Sequence, residues 1–251
     1  MRPLLAARVV TALVLATLTL SACGATPTAG TRPSPSAPAR VVYAAIGASE
    51  TIGVGADDRS RQAWPRVFSN DVLPRSAVLY NFGIPGATTA QALHDEVPAA
   101  VAVHPTVVTV WLNVNDLISG VAAPAYEAQL RQVLRTVRRG GQARVLVANT
   151  PDLAQLPAYR ACLPNAPSGG PTCLIPAGFM PTPQAVVAAV AAYNAAISDA
   201  VKLEGATLVD LNLNDSQITQ HPEWISADGF HPSTQGYAVI AKRFEDAYRR
   251  I

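Results

Sequence analysis

Short, strongly apolar stretches rich in β-branched residues alternate with amphipathic stretches along most of this chain. The apolar stretches predict strands at Val41–Ile46, Ala77–Phe82, Val107–Asn113, Arg144–Asn149 and Thr207–Leu211. Strands that are apolar on both faces are typical of a parallel sheet covered by helices on both sides. The sequence therefore predicts a three-layer α/β/α sandwich around a five-stranded parallel sheet.

Helical patterns fill the segments between the strands. One apolar face carries Tyr126, Leu130, Val133, Leu134 and Val137, a second carries Val186, Val190, Tyr193, Ile197 and Val201, and a third carries Tyr237, Ile240, Ala241, Phe244 and Tyr248. This spacing puts each set on one side of a helix, which would pack against the sheet.

The N-terminal segment has the pattern of an export signal. Arg2 and Arg8 precede a largely apolar run from Val9 to Leu20, which is well short of the roughly 20 residues that span a bilayer. The sequence Leu20-Ser-Ala-Cys23 resembles the bacterial lipobox, which implies that Cys23 becomes the acylated N-terminus of an envelope lipoprotein. A plain secretory signal cleaved nearby is the alternative.

These features divide the chain into three parts. We expect a signal peptide over residues 1–22, a lipidated Cys23 with a tether that runs to residue 40, and a folded domain over residues 41–251. The tether is rich in Pro, Ser and Thr and cannot bury enough apolar surface to offset its chain entropy. The domain is thus expected outside the cytoplasm, held to the outer face of the membrane or to the cell envelope by the lipid anchor.

The charge balance argues against a nucleic-acid partner. The chain has 19 Lys and Arg and 17 Asp and Glu, and removal of Arg2 and Arg8 with the signal leaves 17 of each sign. No basic stripe remains that would bind a phosphate backbone. We expect a monomer.

Polar residues and glycines cluster after four of the predicted strands, at the edge where sites form in open parallel sheets. These are Ser49 after the first strand, Gly83 and Gly86 after the second, Asn113 and Asn115 after the third, and Asp228 and His231 beyond the fifth. The three-residue spacing of Asp228 and His231 lets a turn bring the carboxylate beside the imidazole. An imidazole held in this way can remove a proton from a serine hydroxyl.

The other histidines lack that pairing. His94 lies beside Asp95 and Glu96 in a predicted helix, which indicates a solvated face, and neither His104 nor His221 has an acid three residues before it.

The four segments, in this order, resemble the four blocks of the SGNH (GDSL-type) hydrolase family, and they span nearly all of residues 41–251. The resemblance implies flavodoxin-like topology and the cleavage of carboxylic esters through an acyl-enzyme. It assigns Ser49 as the nucleophile, His231 as the general base and Asp228 as the acid that orients His231. The oxyanion hole would consist of the backbone N–H groups of Ser49 and Gly86 and the side-chain amide of Asn115.

The first and third blocks depart from the family's pattern. The usual Gly-Asp-Ser reads Gly47-Ala48-Ser49, and the glycine of Gly-x-Asn-Asp is replaced by Asn113. Asn113 is therefore an alternative to Asn115, which we favour because Asp116 follows it.

Two further positions have competitors. Gly83 competes with Gly86, which we favour because a helix start with free N–H groups follows it. Asp210, at the end of the last strand, is the alternative acid.

The long connection from Thr150 to about Pro183 contains Cys162 and Cys173. Export would allow these two cysteines to form a disulfide, with Cys23 left for lipidation. Because the connection leaves from the same edge as the site, we expect it to form one wall of the acyl or alcohol pocket. A surface excursion without substrate contact is the alternative.

The sequence thus favours a serine esterase acting on a small-molecule, lipid or acylated-sugar ester, without a metal or an organic cofactor. Acyl transfer by the same triad and a catalytically silent envelope-binding module are the alternatives. Gly53-Val-Gly55 lacks the third small residue of a dinucleotide-binding loop, because Asp58 stands there. Ser49 lacks the Gly-x-Ser-x-Gly elbow of α/β-hydrolases, since Thr51 replaces the second glycine.

Overall fold

The computed structural model describes residues 40–166, 168–173, 179–212 and 217–251. The predicted signal peptide, Cys23 and nearly all of the predicted tether lie outside the described residues. The described residues belong to one unit, in which every strand joins a single sheet.

The sheet confirms the predicted architecture. Its strands are β1 (Val42–Gly47), β2 (Val78–Asn81), β3 (Val107–Trp111), β4 (Arg144–Ala148) and β5 (Thr207–Val209). All neighbouring pairs are parallel, and the strand order is β2-β1-β3-β4-β5. This is the flavodoxin-like order, in which the chain reverses its direction of winding between β1 and β3.

Four strands end earlier than the sequence predicts: β2 by one residue, and β3, β4 and β5 where polar residues leave the ladder. The backbone of Asn113 turns away at φ −165° and ψ −45° to begin a helix, and its amide donates to the carbonyl of Ala148 at 3.2 Å. Beyond β4, Asn149 donates to the Asp210 carboxylate at 2.7 Å, and Asp210 lies just past β5. These side chains bridge neighbouring strand ends where a regular ladder would have continued.

The helices of the described residues are α1 (Arg59–Gln62), α2 (Trp64–Val72), α3 (Thr89–Ala102), α4 (Val114–Ile118), α5 (Ala123–Arg138), α6 (Pro157–Arg160), α7 (Pro183–Glu204), α8 (Gln217–Gln220) and α9 (Thr234–Tyr248). Short 3-10 turns cover Arg139–Gly141, Leu153–Gln155 and Pro222–Trp224. Helices α3, α5 and α7 pack on one face of the sheet, and α2 and α9 pack on the other. The protein is therefore three layers thick, as predicted.

Each predicted apolar helix face packs inwards. All five residues predicted for the α5 face and all five predicted for the α7 face are buried. On α9, Tyr237, Ala241 and Phe244 are buried, with Phe244 stacked on Trp64 of α2 at a centroid distance of 4.1 Å. Helix α7 is long and apolar enough to cross a bilayer by length and composition alone, but this inward face is part of the domain core.

The strand order determines where the candidate site lies. Because β1 lies between β2 and β3, the loops that follow β2 and β3 flank the loop that follows β1. The predicted serine, glycine and asparagine residues therefore share one edge of the sheet.

Candidate active site

Ser49 lies in a tight turn directly after β1. The turn is closed by the N–H of Thr51, which donates to the carbonyl of Ala48 at 3.0 Å, and by the N–H of Val54, which donates to the carbonyl of Ser49 at 3.0 Å. Ser49 is partly exposed, whereas its two neighbours are buried. The turn thus presents the hydroxyl of Ser49 at the carboxyl edge of the sheet.

A buried carboxyl group supports this turn from below. The N–H of Gly47 donates to Oε2 of Glu96 on α3 at 2.8 Å, and Glu96 is only 1% exposed. Burial raises the pKa of Glu96 to about 8, so the group keeps its proton at neutral pH. The prediction of a solvated face holds for the exposed His94 but is wrong for Glu96. The signal was available, because Ala92, Glu96 and Ala100 follow one another at helical spacing and share the buried face.

Asp228 and His231 form a compact loop just before α9. Oδ1 of Asp228 accepts from the backbone N–H groups of Phe230 at 2.8 Å and His231 at 2.9 Å, and from the hydroxyl of Ser226 at 2.8 Å. Oδ2 of Asp228 lies 2.6 Å from Nδ1 of His231. One carboxylate oxygen therefore holds the loop, and the other holds the imidazole.

Gly229 lets this loop pack tightly. Its φ of +75° lies in the left-handed region, and a Cβ there would lie 2.6 Å from Cγ of Pro171. The carbonyl of Gly229 accepts from the N–H of Ala158 at 2.9 Å. A side chain at this position would strain the backbone and displace the segment around Pro171.

The imidazole of His231 meets the hydroxyl of Ser49 across the sheet edge. Nε2 of His231 lies 3.0 Å from Oγ of Ser49, although 182 positions separate the two residues in sequence. Two contacts tie the segments together: the hydroxyl of Tyr237 donates to the carbonyl of Val54 at 2.6 Å, and Oγ1 of Thr234 donates to Oδ2 of Asp57 at 2.9 Å. This geometry permits proton transfer from the hydroxyl to the imidazole.

Asp228 keeps its charge in this setting. Partial burial raises its pKa, but the hydrogen bonds from His231, from two backbone N–H groups and from Ser226 outweigh that effect and lower the pKa to about 2. The carboxylate is therefore ionised at neutral pH, with Oδ2 directed at Nδ1 of His231.

The alternative acid and the other histidines lie in other contacts. Oδ1 of Asp210 accepts from Asn149 at 2.7 Å and from the N–H of Asn212 at 2.9 Å. His221 stacks on Trp224 at 4.1 Å. Among the described residues, only Asp228 has a carboxylate within hydrogen-bonding distance of His231.

The two glycines that compete for the oxyanion role differ in what their N–H groups do. The N–H of Gly83 donates to Oδ1 of Asn81 at 3.1 Å. The N–H of Gly86 makes no hydrogen bond with the residues the structure describes, and neither does the N–H of Ser49. Gly86 is exposed, and its φ of +80° is a positive value that residues other than glycine rarely adopt.

The two competing asparagines also differ. Asn113 is buried and directs its amide to β4, whereas Asn115 is partly exposed and donates to the carbonyl of Ala87, next to Gly86, at 3.0 Å. Asp116 is fully buried and accepts from the N–H and the hydroxyl of Thr89, at the start of α3, at 2.9 and 3.1 Å. Burial raises the pKa of Asp116, and the hydrogen bonds from Thr89 oppose that rise. Two successive residues of α4 therefore hold the loop that carries Gly86.

A cavity of about 890 Å³, part of it open solvent, adjoins the site. Glu50 and Pro232, the residues that follow Ser49 and His231, both line it. Most of the remaining wall is apolar, including Trp111, Leu153 and Phe230. The cavity therefore begins beside the Ser49–His231 pair and can receive part of a bound ligand.

The long connection after β4 contributes to the surroundings of the site in two ways. Its first turn lines the cavity with Pro151, Asp152, Leu153, Gln155 and Leu156. Farther along, Cys162 and Cys173 form a disulfide, and Pro171 inside the bridged loop packs on Gly229. None of the described residues between the two cysteines lines the cavity, so the bridge supports the Asp228 loop and the wall comes from residues before it.

Sequence reasoning missed Glu50 as well as Glu96. Glu50 is 7% exposed, and its Oε2 lies 3.4 Å from Oγ of Ser49. Burial raises the pKa of Glu50. The hydrogen bonds that Glu50 accepts and the nearby His231 lower this pKa to a smaller extent. Within the described part of the chain, no group of three His, Cys, Asp or Glu residues is arranged to hold a metal ion.

Comparisons with known proteins agree with this fold. The chain resembles the psychrotrophic esterase EstA from Pseudoalteromonas sp., with 15% identity and a TM-score of 0.59 over 83% of this chain and 97% of that one. It resembles a lipase from a goat rumen metagenome, with 18% identity and a TM-score of 0.60 over 83% and 97% of the two chains. It also resembles an extracellular lipase from Streptomyces rimosus, with 16% identity and a TM-score of 0.52 over 84% and 99%. A search of curated protein sequences found no match.

A sequence family covers the same region. The model of the GDSL-like lipase/acylhydrolase family matches residues 45–239, which runs from β1 to α9 and includes every segment of the candidate site. The chain therefore belongs to the GDSL-like lipase/acylhydrolase family of carboxylic ester hydrolases.

Proposed function

We propose that the protein cleaves esters through an acyl-enzyme formed on Ser49. The observation that carries the proposal is the pair of contacts at His231: Nε2 lies 3.0 Å from Oγ of Ser49, and Nδ1 lies 2.6 Å from Oδ2 of Asp228. A serine becomes a nucleophile when its hydroxyl contacts an imidazole whose other nitrogen contacts an ionised carboxylate.

In the first half of the reaction, His231 takes the proton from Ser49 as Oγ bonds to the ester carbonyl carbon. The negative charge of Asp228 stabilises the imidazolium that results. His231 then returns the proton to the departing alcohol, which leaves an acyl group on Ser49. In the second half, His231 takes a proton from water, the water oxygen attacks the acyl carbon, and the released Ser49 regains its proton.

The oxyanion formed at each stage needs donors that are already in position. The N–H groups of Ser49 and Gly86 are not engaged with other described residues, which leaves both able to donate to a substrate oxygen. The amide of Asn115 lies beside the same loop through its contact with Ala87. We assign these three groups to the oxyanion hole, where each would contribute about 3–4 kcal/mol to the lowering of the barrier.

A covalent probe tests this assignment. A fluorophosphonate should label the wild type and fail to label Ser49→Ala, whereas Ser198→Ala, which changes an exposed serine on α7, should be labelled like the wild type. With 4-nitrophenyl esters of graded chain length, Ser49→Ala should lose activity by about 10⁴-fold or more. Labelling of the Ser49→Ala protein at the same rate would refute the proposed nucleophile, and an unlabelled wild type would favour a silent binding module.

Hydrolysis and acyl transfer proceed through the same acyl-enzyme and differ in what attacks it. We assign hydrolysis, and product analysis with glycerol present would detect a transferred acyl group instead.

The N-terminal region leads to a proposal about location. Cys23, at the end of a lipobox-like sequence, would carry a lipid that holds the domain at the cell envelope, where lipid and acylated-sugar esters are available. Metabolic labelling with a clickable palmitate should mark the wild type and leave Cys23→Ala unmarked. Equal labelling of the two proteins would rule out Cys23 as the attachment site.

A further inference from the structure

Glu50 is a buried acidic group that the proposed reaction does not use. It follows the nucleophile directly, it is 7% exposed, and it lines the cavity beside the site. Its Oε2 lies 3.4 Å from Oγ of Ser49, so the carboxyl group and the reacting hydroxyl face the same space.

The mostly apolar cavity is an unusual place for a carboxyl group. Most residues that line the cavity are apolar, among them Trp111, Val114 and Phe230. Among the described residues, no Lys or Arg forms an ion pair with Glu50. In the free protein Oε2 accepts from Oγ of Ser49, and when Oγ reacts the buried carboxyl group is costly unless something bound in the cavity donates to it instead.

The substrate is the natural source of that donor. When Ser49 attacks an ester, the carbonyl carbon bonds to Oγ, and the part of the substrate that enters the cavity passes close to Glu50. A hydroxyl group two or three bonds from that carbon can come within about 2.5–3.0 Å of Oε2, which is hydrogen-bonding distance. Once Oγ of Ser49 is bonded to the substrate it can no longer donate to Oε2, and a plain alkyl chain in the same place offers no donor to replace it.

We propose that Glu50 selects esters that carry a hydroxyl group within two or three bonds of the scissile carbonyl, on the part of the substrate that occupies the cavity. The inference rests on the proposed function and names its substrate class. Burial raises the pKa of Glu50, which suits a neutral hydroxyl better than a cationic amine as its partner. The hydroxyl can belong to a hydroxyacyl group or to a polyol, and both place the same donor near Oε2.

The test compares matched ester pairs on purified protein. The acyl pair is 4-nitrophenyl butyrate and 4-nitrophenyl 3-hydroxybutyrate, and the alcohol pair is ethyl butyrate and 2-hydroxyethyl butyrate, followed by titration of the released acid. We expect the wild type to prefer the hydroxylated member of one pair by about tenfold or more in kcat/KM. Glu50→Leu should abolish or reverse that preference, and Glu50→Gln, whose amide still hydrogen-bonds, should keep most of it.

Glu127→Leu, the same change on α5 outside the cavity, is the control and should leave both ratios unchanged. A wild-type preference below threefold in both pairs overturns the inference without any variant. So does a preference that survives in Glu50→Leu, since another group must then cause it. These outcomes differ from a failure of the proposed function, in which no ester is cleaved and no probe labels Ser49.

Discussion

The two partners of the proposed catalytic pair are held in different ways. Ser49 follows β1, an interior strand of the sheet, and the backbone before it is fixed by strand pairing on both sides and by the buried Glu96. His231 lies in a loop that is held by the carboxylate of Asp228, the packing of Gly229 on Pro171 and the cap of α9. The backbone that leads to Ser49 is therefore anchored in the core, whereas His231 depends on a few polar and surface contacts.

This difference predicts how each side responds to substitution. Changes beneath Ser49 should act first on stability, because they disturb buried groups that the fold needs. Changes to the direct contacts of the His231 loop, unlike loss of a covalent cross-link, should act first on rate, because the loop can lose its geometry without unfolding the domain. The following experiments test that division.

The largest effect is expected from Asp228→Asn. Loss of the charge beside His231 should lower kcat/KM by about 10³–10⁴-fold, equivalent to about 4–5.5 kcal/mol of barrier. The melting temperature should change little, because the amide oxygen can still accept from the N–H groups of Phe230 and His231. Asp210→Asn is the matched control and should keep near wild-type activity. A comparable loss in Asp210→Asn, with Asp228→Asn active, would transfer the acid role to Asp210.

Replacement of both Cys162 and Cys173 by alanine should come next. The bridge closes a loop with a sequence separation of 11, and its removal should lower the free energy of unfolding by about 3 kcal/mol. A looser Pro171 should also release the Gly229 turn and lower kcat by up to about tenfold, with KM nearly unchanged. Pro171→Ala separates the two effects, because it removes the contact and keeps the bridge. A shift in chain-length preference without a change in kcat would instead support the bridged loop as a pocket wall.

Glu96→Gln should change how stability depends on pH. The folded pKa of about 8 lies above the ordinary value of 4.5, so ionisation disfavours the folded state, and wild-type stability should fall as pH rises from 4.5 towards 8. Glutamine still offers an oxygen to the N–H of Gly47 and does not titrate. The variant should therefore gain about 1–3 kcal/mol relative to the wild type between pH 5 and 8 in urea unfolding. Parallel stability curves would contradict a buried, proton-retaining Glu96.

The smallest effect is expected from Tyr237→Phe. Its hydroxyl ties α9 to the Ser49 turn through the carbonyl of Val54, so its loss should cost about 1 kcal/mol and lower kcat/KM about two- to fivefold. Tyr193→Phe is a matched control, since its hydroxyl donates to the carbonyl of Val121 at the same distance of 2.6 Å but on the other face of the sheet. That variant should lose similar stability and no activity. Equal activity of the two variants would show that the tie does not position the pair.

Most of the fold could be predicted from the sequence. Continuous apolar strands and one-sided helices leave few ways to bury their surfaces, and a parallel sheet with two helical layers is the arrangement that does so. The ends of β3 and β5 could not be predicted, because Asn113 and Asp210 leave the ladder for partners that lie far away in sequence.

Ser49 and His231 could be named as candidates from the sequence, because a hydroxyl and an imidazole indicate a possible role by their own chemistry, and the structure brings the two side chains together. Glu50 and Glu96 were missed because their importance comes from burial, and only the helical spacing of Glu96 with Ala92 and Ala100 gave a sign of it. A glutamate in a sequence is normally read as a surface residue, and only the packing of α3 against the end of β1 shows that Glu96 has no access to water. Charged residues on an otherwise apolar helix face are the signal to examine in related chains.

The contacts of α4 with the start of α3 have a consequence for how this protein could change. Asn115 donates to the carbonyl of Ala87, and Asp116 accepts from the N–H of Thr89, so side-chain hydrogen bonds join the loops that follow β2 and β3. An inserted residue in either loop would carry both away from Ser49 together, and only paired changes on the two sides could re-aim them. New specificity is thus easier to obtain by remodelling the open side near Leu153 than by altering the clamped side.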